Sequence, residues 1–308
     1  MHLLKFYVRS FPDDLLVQTT TEFIDEASLL RDQFGEDFYI QVIFNSDFVS
    51  NSSLVIARAF LDFLQNEGFR YDVKGESNSF NYANRLGFFN ELPHIDYDFN
   101  KQASNGRFLE LETITNSDMR VTERLTKSLE EYSDRPNVFI SEDSREMLSY
   151  SIGEVVSNVR RHSFSTGRIS FQNYMGQTVN EVTICDCGIG IIESLRNAGN
   201  YGTDVEILKH SIQQYTSASH NPVGYAEKSP GVGLYNLCKI AERNKKASVT
   251  IVTEQYKLEV SKKNPVDNPK IIKLPTKFKG TIVVLRIPNV LQTNLNEVLE
   301  DSLQDTFF

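Results

Sequence analysis

Cysteine is scarce in this chain, and its scarcity excludes two architectures. Cys185, Cys187 and Cys238 are odd in number and leave no second pair to complete a tetrahedral zinc site. Neither a disulfide framework nor a metal cage is suggested, and all three read as small core residues. Long apolar runs are missing as well, since none approaches the roughly 20 residues that a membrane span needs. The opening Met1-His-Leu-Leu-Lys-Phe-Tyr-Val meets Arg9 and Asp13-Asp14 too soon for a secretory leader, so the expectation is cytoplasmic residence with no membrane partner. Positive charge is in deficit: 32 Lys and Arg face 41 Asp and Glu, a formal net charge of -9. That balance disfavours nucleic acid as the main partner, although a local basic groove would still be compatible with it.

What is present allows a sizeable core. A length of 308 residues with 40% hydrophobic and 24% charged content suggests two ordinary domains. Residues 38 to 44 are β-branched and aromatic and read as a strand, followed by polar turn residues and a helix from about Ser53 to Asn66 that Gly68 ends. A second strand is expected from Phe69 to Val73, and a shorter helix over Tyr82 to Leu86 stops near Gly87. This alternation argues for a small α/β unit, residues 1–100. The polar stretch from Pro93 to Gly106 has linker composition.

Beyond it, Phe108 to Ile114 alternates as a strand, Ser117 to Tyr132 reads as an amphipathic helix, and a long helix is expected from about Glu142 to His162. Strands follow at Arg168 to Asn173, Val179 to Cys185, Ser248 to Thr253 and Thr281 to Ile287. The larger domain, residues 106–290, is thus expected to be an α+β sandwich with a helix layer on a mostly antiparallel sheet. The tail, 291–308, has apolar residues at helical spacing and reads as a C-terminal amphipathic helix.

Four segments carry candidate chemistry. On the long helix, Glu154, Asn158 and His162 are spaced i, i+4, i+8 and form one polar stripe, a pattern that on its own is usually just a solvated face. The apolar strand Val182-Thr-Ile-Cys-Asp-Cys-Gly-Ile-Gly ends in Asp186, followed by Gly188 and Gly190. Glycines let backbone approach a flat ligand, and a carboxylate accepts a hydrogen bond from an exocyclic amine such as that of adenine. Ser229-Pro-Gly-Val-Gly-Leu opens into a helix, and free N–H groups at such a start suit phosphates. This loop has neither the Gly-x-x-x-x-Gly-Lys-Ser/Thr of a P-loop nor the preceding strand of a Rossmann fingerprint. Finally, Gly280-Thr281 enters a late strand.

In this order and spacing the four segments resemble the GHKL superfamily of Bergerat-fold ATPases: DNA gyrase B, histidine kinases, anti-sigma-factor kinases and their chaperone and mismatch-repair relatives. The match covers roughly residues 106 to 288. Glu154-x-x-x-Asn158-x-x-x-His162 resembles the N box, Asp186-x-Gly188-x-Gly190 the first glycine box, and Gly231-x-Gly233-Leu234 the second. The resemblance implies ATP and Mg²⁺ as ligands. Asn158 would hold Mg²⁺ and Glu154 would act as base or water-orienter. Asp186 would read adenine with Thr281 supporting it through water, Arg161 and His162 would lie near the phosphates, and Gly231 and Gly233 would hinge a mobile lid. Ser194 to Lys228, with a short helix over Val205 to Ile212, has the composition of that lid.

The chain departs from sensor histidine kinases. Only His2 and His94 precede His162, and Leu-Pro-His94-Ile-Asp is a poor helix for a phosphoacceptor. The likeness is closer to anti-sigma-factor kinase domains, which implies a regulatory protein partner and action as a serine kinase or slow ATPase. A non-catalytic nucleotide-dependent interaction module is the alternative, and a DNA-acting ATPase fits the acidic balance less well. The small domain is similar to a STAS domain in its strand, its Asn51-Ser52-Ser53 helix start, its following strand and Leu86-Gly-Phe-Phe-Asn-Glu-Leu92. A phosphorylatable serine would fall at Ser52 or Ser53, though helix capping is the plainer role for either. The oligomeric state is not legible.

Overall fold

The structure, a computed structural model, describes residues 2–8, 21–75, 78–92, 108–115, 120–133, 140–174, 176–214, 216 and 233–304. Among these residues the chain is mixed α/β and is built on two sheets. The first is parallel, with β1 (His2–Val8), β2 (Phe38–Phe44) and β3 (Tyr71–Gly75) lying in sequence order. Helices α1 (Thr21–Phe34) and α2 (Asn51–Asn66) make its crossovers, and α3 (Asn78–Arg85) follows β3. The second sheet is antiparallel, in the order β4 (Phe108–Ile114), β5 (Gly167–Tyr174), β6 (Val179–Asp186), β8 (Lys270–Pro288), β7 (Ser248–Ser261).

One face of the second sheet packs on α4 (Val121–Ser133), α5 (Glu142–Asn158), α6 (Ile191–Asn197), α7 (Asp204–His210), α8 (Gly233–Arg243) and α9 (Leu295–Gln304). The opposite face turns Cys185, Cys187, Ile282 and Val284 toward the first unit and shares its core. All three cysteines are free, buried thiols. No helix among the described residues is long and apolar enough to cross a membrane.

Helix α2 lies between the sheets and is buried along nearly its whole length. On one side Phe60 tilts against Phe6 at 5.1 Å and meets Phe23 edge-on at 5.7 Å; on the other the helix rests on β5 and β6. It starts two residues before the expected Ser53 because Ser50 is the cap: Ser50 Oγ accepts from Ser53 N at 3.2 Å. Ser52 and Ser53, expected as the capping positions, instead lie inside the first turn and are buried. At the other end Gly68 (φ 79) closes a Schellman motif, Phe69 N bonding Leu64 O at 2.9 Å and Gly68 N bonding Gln65 O at 3.0 Å. That cap consumes Phe69, so β3 begins at Tyr71 rather than at Phe69 as expected.

Three further expectations shift. The helix from Glu142 to His162 is α-helical only to Asn158 and then opens into a π turn, Val159–Ser163. Strands β7 and β8 run beyond the expected Thr253 and Thr281, pairing from Tyr256↔Lys273 to Glu259↔Lys270 across irregularities at Glu254. Leu258 and Val260 on this arm are fully buried, which holds it down. Elements β1, α1 and α6 were not anticipated. The linker at 93–106 and the start of the helix expected at Ser117 lie outside the described residues, and that helix is described as α4 from Val121.

A methyl group added at Gly68 meets no atom within 4 Å, so the cost of Gly68→Ala is conformational alone. The substitution is expected to destabilise by about 1–2 kcal/mol. Chemical denaturation checks this, with Gly68→Asn expected to lose less.

Candidate functional site

Ser141 caps α5, its Oγ accepting from Ser144 N at 3.3 Å, and the helix carries Glu154 and Asn158 toward its end. The following π turn closes on Phe164, which is left-handed at φ 55. In an α-helix each i+4 residue advances by about 40°. The wider π turn rotates less per residue, so it brings His162 back over the Glu154 and Asn158 stripe. All three, with Arg161, line a cavity of about 960 Å³ counted out to its open mouth.

Strand β6 forms the facing wall. Asp186 is in register with Gly167 on β5 and Thr281 on β8. Strand alternation turns Ile184, Asp186, Thr281 and Val283 into the cavity and Cys185 and Cys187 to the other face. Val155, Val159, Ile191 and Leu195 complete an apolar slot, and Ser163, Ser194, Ser211 and Thr216 also line it.

Tight backbone contacts hold these segments together. Gly188 N donates to Asp186 Oδ1 at 2.9 Å, and Ile189 N donates to Ser163 O at 3.2 Å. A Cβ at Gly188 would lie 1.9 Å from Ser163 O, so the loop after Asp186 can press on the π turn only through glycine. Gly280 (φ 102) crosses the same loop, where a Cβ would lie 2.1 Å from Asp186 O. Thr253, fully buried, ties the two crossings: its Oγ1 accepts from Ile191 N and donates to Gly280 O, both at 3.1 Å.

The start of α8 closes another side. Gly233 and Leu234 line the cavity, and a Cβ at Gly233 would lie 1.8 Å from Glu154 Oε2. The carboxylate therefore rests against the first turn of a helix, whose dipole favours negative charge. One turn further along α8, Asn236 Nδ2 donates to Tyr150 Oη at 2.8 Å and links α8 to α5.

Burial dominates the electrostatics. It pushes the Asp186 carboxyl up to about 7, while N–H groups of Gly188 and Thr281 pull it back. Burial also raises Glu154, an effect that Arg161 offsets in part. For His162 burial and Arg161 act together to hold the imidazole below its ordinary range. The site thus combines two carboxyls with raised proton affinity, a guanidinium and a neutral-leaning imidazole around an apolar slot. Such a set can accept a hydrogen bond from a flat amine-bearing ring, hold an anion, and take up a proton.

Of the residues read from sequence, Glu154, Asn158, Arg161, His162, Asp186, Gly190, Gly233, Leu234 and Thr281 line this cavity. Gly188 is not among the lining residues and acts behind the wall, as described. Gly231 lies outside the described residues, as does the later part of the expected lid, 217–228. The first part of that stretch is folded: Ser194 sits in α6, and α7 begins at a capping box formed by Thr203 and Glu206. Thr253, Ser163 and Tyr150 escaped the sequence reading, because only a contact distant in sequence distinguishes them from ordinary strand or helix residues. No family model matches the chain, and no curated protein matches it.

Two outcomes are expected. Gly188→Ala should destabilise by about 1–3 kcal/mol through overpacking against Ser163, whereas Gly176→Ala, with nothing within 4 Å, should be near neutral in the same thermal melts. Asp186 binds its proton more tightly folded than unfolded, so its contribution to stability is complete below pH 4 and is lost as pH rises toward 7. The stability of wild type relative to Asp186→Asn should therefore fall over that window, and denaturant titrations at several pH values measure it.

Proposed function

We propose that this cavity binds ATP with Mg²⁺ in the manner of the GHKL superfamily. The chain uses that site to act on a protein partner, as an anti-sigma-like serine kinase or slow ATPase. One observation carries the reading: Glu154, Asn158 and Asp186 line one cavity together with Gly190, Gly233 and Thr281. The helix layer on an antiparallel sheet also supports a Bergerat fold. The STAS resemblance of the small unit rests on its strand, serine-rich helix start and strand. Burial of Ser52 and Ser53 means that a kinase could reach them only after that helix start opened.

Each role follows from local chemistry. Asp186, buried and held by two N–H groups, accepts a hydrogen bond from the adenine amine, with Thr281 beside it in register. The apolar slot takes the faces of the ring. The first turn of α8, with Arg161 and His162, meets the phosphates. Among the described residues no group of three or more His, Cys, Asp or Glu could hold a metal alone. Mg²⁺ keeps waters and binds through one or two protein oxygens plus substrate phosphates, so it needs no such group. Asn158 would hold it, and bound there it would neutralise phosphate charge. Glu154, raised by burial, is the base that draws a proton from water or from a partner's serine hydroxyl.

Calorimetry with Mg-ATP tests the reading directly, and a wild-type protein that fails to bind overturns it. Glu154→Ala should retain binding while turnover falls by about 10²-fold or more. Turnover unchanged in Glu154→Ala would remove the catalytic part and leave a nucleotide-dependent binding module.

A further inference from the structure

Behind the cavity, on the opposite face of the sheet, a buried charge cluster joins the small unit to the site. Asp62 on α2 accepts from Arg168 on β5 through Nε at 2.5 Å and Nη2 at 3.2 Å. It also accepts from Arg58 Nε at 3.0 Å. Arg58 is 1% exposed and anchors on Phe88 O at 2.6 Å and Asn90 O at 2.5 Å. Arg168 is completed by Thr113 and by the exposed carboxylate of Glu91, which reaches it from a left-handed backbone, φ 62. Two buried guanidinium groups thus share one half-buried carboxylate from the small unit, with the exposed Glu91 as a second, outer partner of Arg168 alone.

Arg168 is covalently next to the residue on which the site's geometry turns. Gly167 pairs with Asp186 across β5 and β6, and a Cβ at Gly167 would lie 2.8 Å from Val159 Cγ1, in the π turn. Any shift of Arg168 is therefore transmitted through one peptide unit to two parts of the cavity. One is the strand end bearing Asp186. The other is the turn bearing Arg161 and His162. Relaxing this π turn to α geometry would rotate every later residue on it, Arg161 and His162 included.

We propose that Asp62 is a positioning residue for the cavity. Through its fork with Arg168 it holds Gly167, and hence Asp186 and the π turn, so that docking of the small unit sets the affinity of the site for its ligand. By reciprocity, ligand in the cavity tightens the docking of the small unit. The ligand half of this statement rests on the nucleotide reading above; the mechanical half does not. Removing the charge of Asp62 leaves buried Arg58 without its carboxylate partner and Arg168 with only the exposed Glu91, so the effect should concentrate along this path.

The test compares Asp62→Asn with Phe23→Leu in the full chain. Phe23 lies in the small unit's core against Phe6 and Phe60, so it reports general loosening. Without nucleotide, Asp62→Asn should speed amide exchange across Val159–Ser163 by about tenfold or more, and Phe23→Leu should not. With Mg-ATP, Asp62→Asn should weaken binding by about tenfold and narrow the preference for ATP over GTP, while Phe23→Leu leaves both unchanged. Unchanged exchange in the π turn of Asp62→Asn, or equal acceleration in Phe23→Leu, overturns the proposal. If wild type binds no nucleotide, the nucleotide reading falls and the exchange arm still decides. Should Asp62→Asn fail to fold, Arg168→Lys, which keeps the charge and loses the fork, is expected to change both readouts in the same direction.

Discussion

Backbone meets backbone at two points around the cavity, and neither leaves room for a side chain. Ser163 O faces Gly188 and Asp186 O faces Gly280, with a Cβ at either glycine falling near 2 Å from the oxygen it meets. These contacts let the end of α5, the end of β6 and the entry to β8 converge. Held apart by one methyl group, the three segments could not present Glu154, Asp186 and Thr281 to a common volume. Thr253 then secures the convergence, since its single hydroxyl serves both the loop after Gly190 and the carbonyl of Gly280.

Convergence has an electrostatic consequence. The same closeness that assembles the cavity removes water from Asp186 and Glu154, and burial raises both carboxyls. In a passive core such groups would be neutral or paired. Here Asp186 keeps only N–H donors and Glu154 has Arg161 and the start of α8, which leaves acceptor capacity aimed into an apolar slot. Raised carboxyls in a cleft are the arrangement expected where a ligand donates hydrogen bonds and charge is handled.

The fold sets this slot on one face of the antiparallel sheet and uses the other face for docking. A parallel sheet needs cover, and α2 supplies it by filling the space between the two sheets. Its apolar residues Phe60 and Leu64 would serve any core. Its polar residues Arg58 and Asp62 serve only this one, because Asp62 finds Arg168 on the facing strand. A buried ion pair adds little net stability compared with well-packed apolar residues, yet it penalises every misplaced docking. The cluster is therefore better understood as fixing the register of α2 on the sheet than as a source of stability.

Local pattern was enough for the elements whose signal is local. Phe38–Phe44 and Phe108–Ile114 show β-branched and alternating residues and form strands with those bounds. The spacing of Glu154 and Asn158 put them on one helical face, and both line the cavity. Other features depend on contacts far apart in sequence. The π turn answers to packing against Gly188 and Gly167. The arm of β7 and β8 exists because its strands pair beyond the sheet, and the cluster joins residues 106 positions apart. Sequence alone thus determined which residues could do chemistry and on which elements they ride, because periodicity and turn propensity are properties of neighbours. Only the tertiary structure decided that those elements meet without intervening side chains and that the small unit is fastened behind Asp186, because steric exclusion and buried charge pairing act between segments that no local pattern connects.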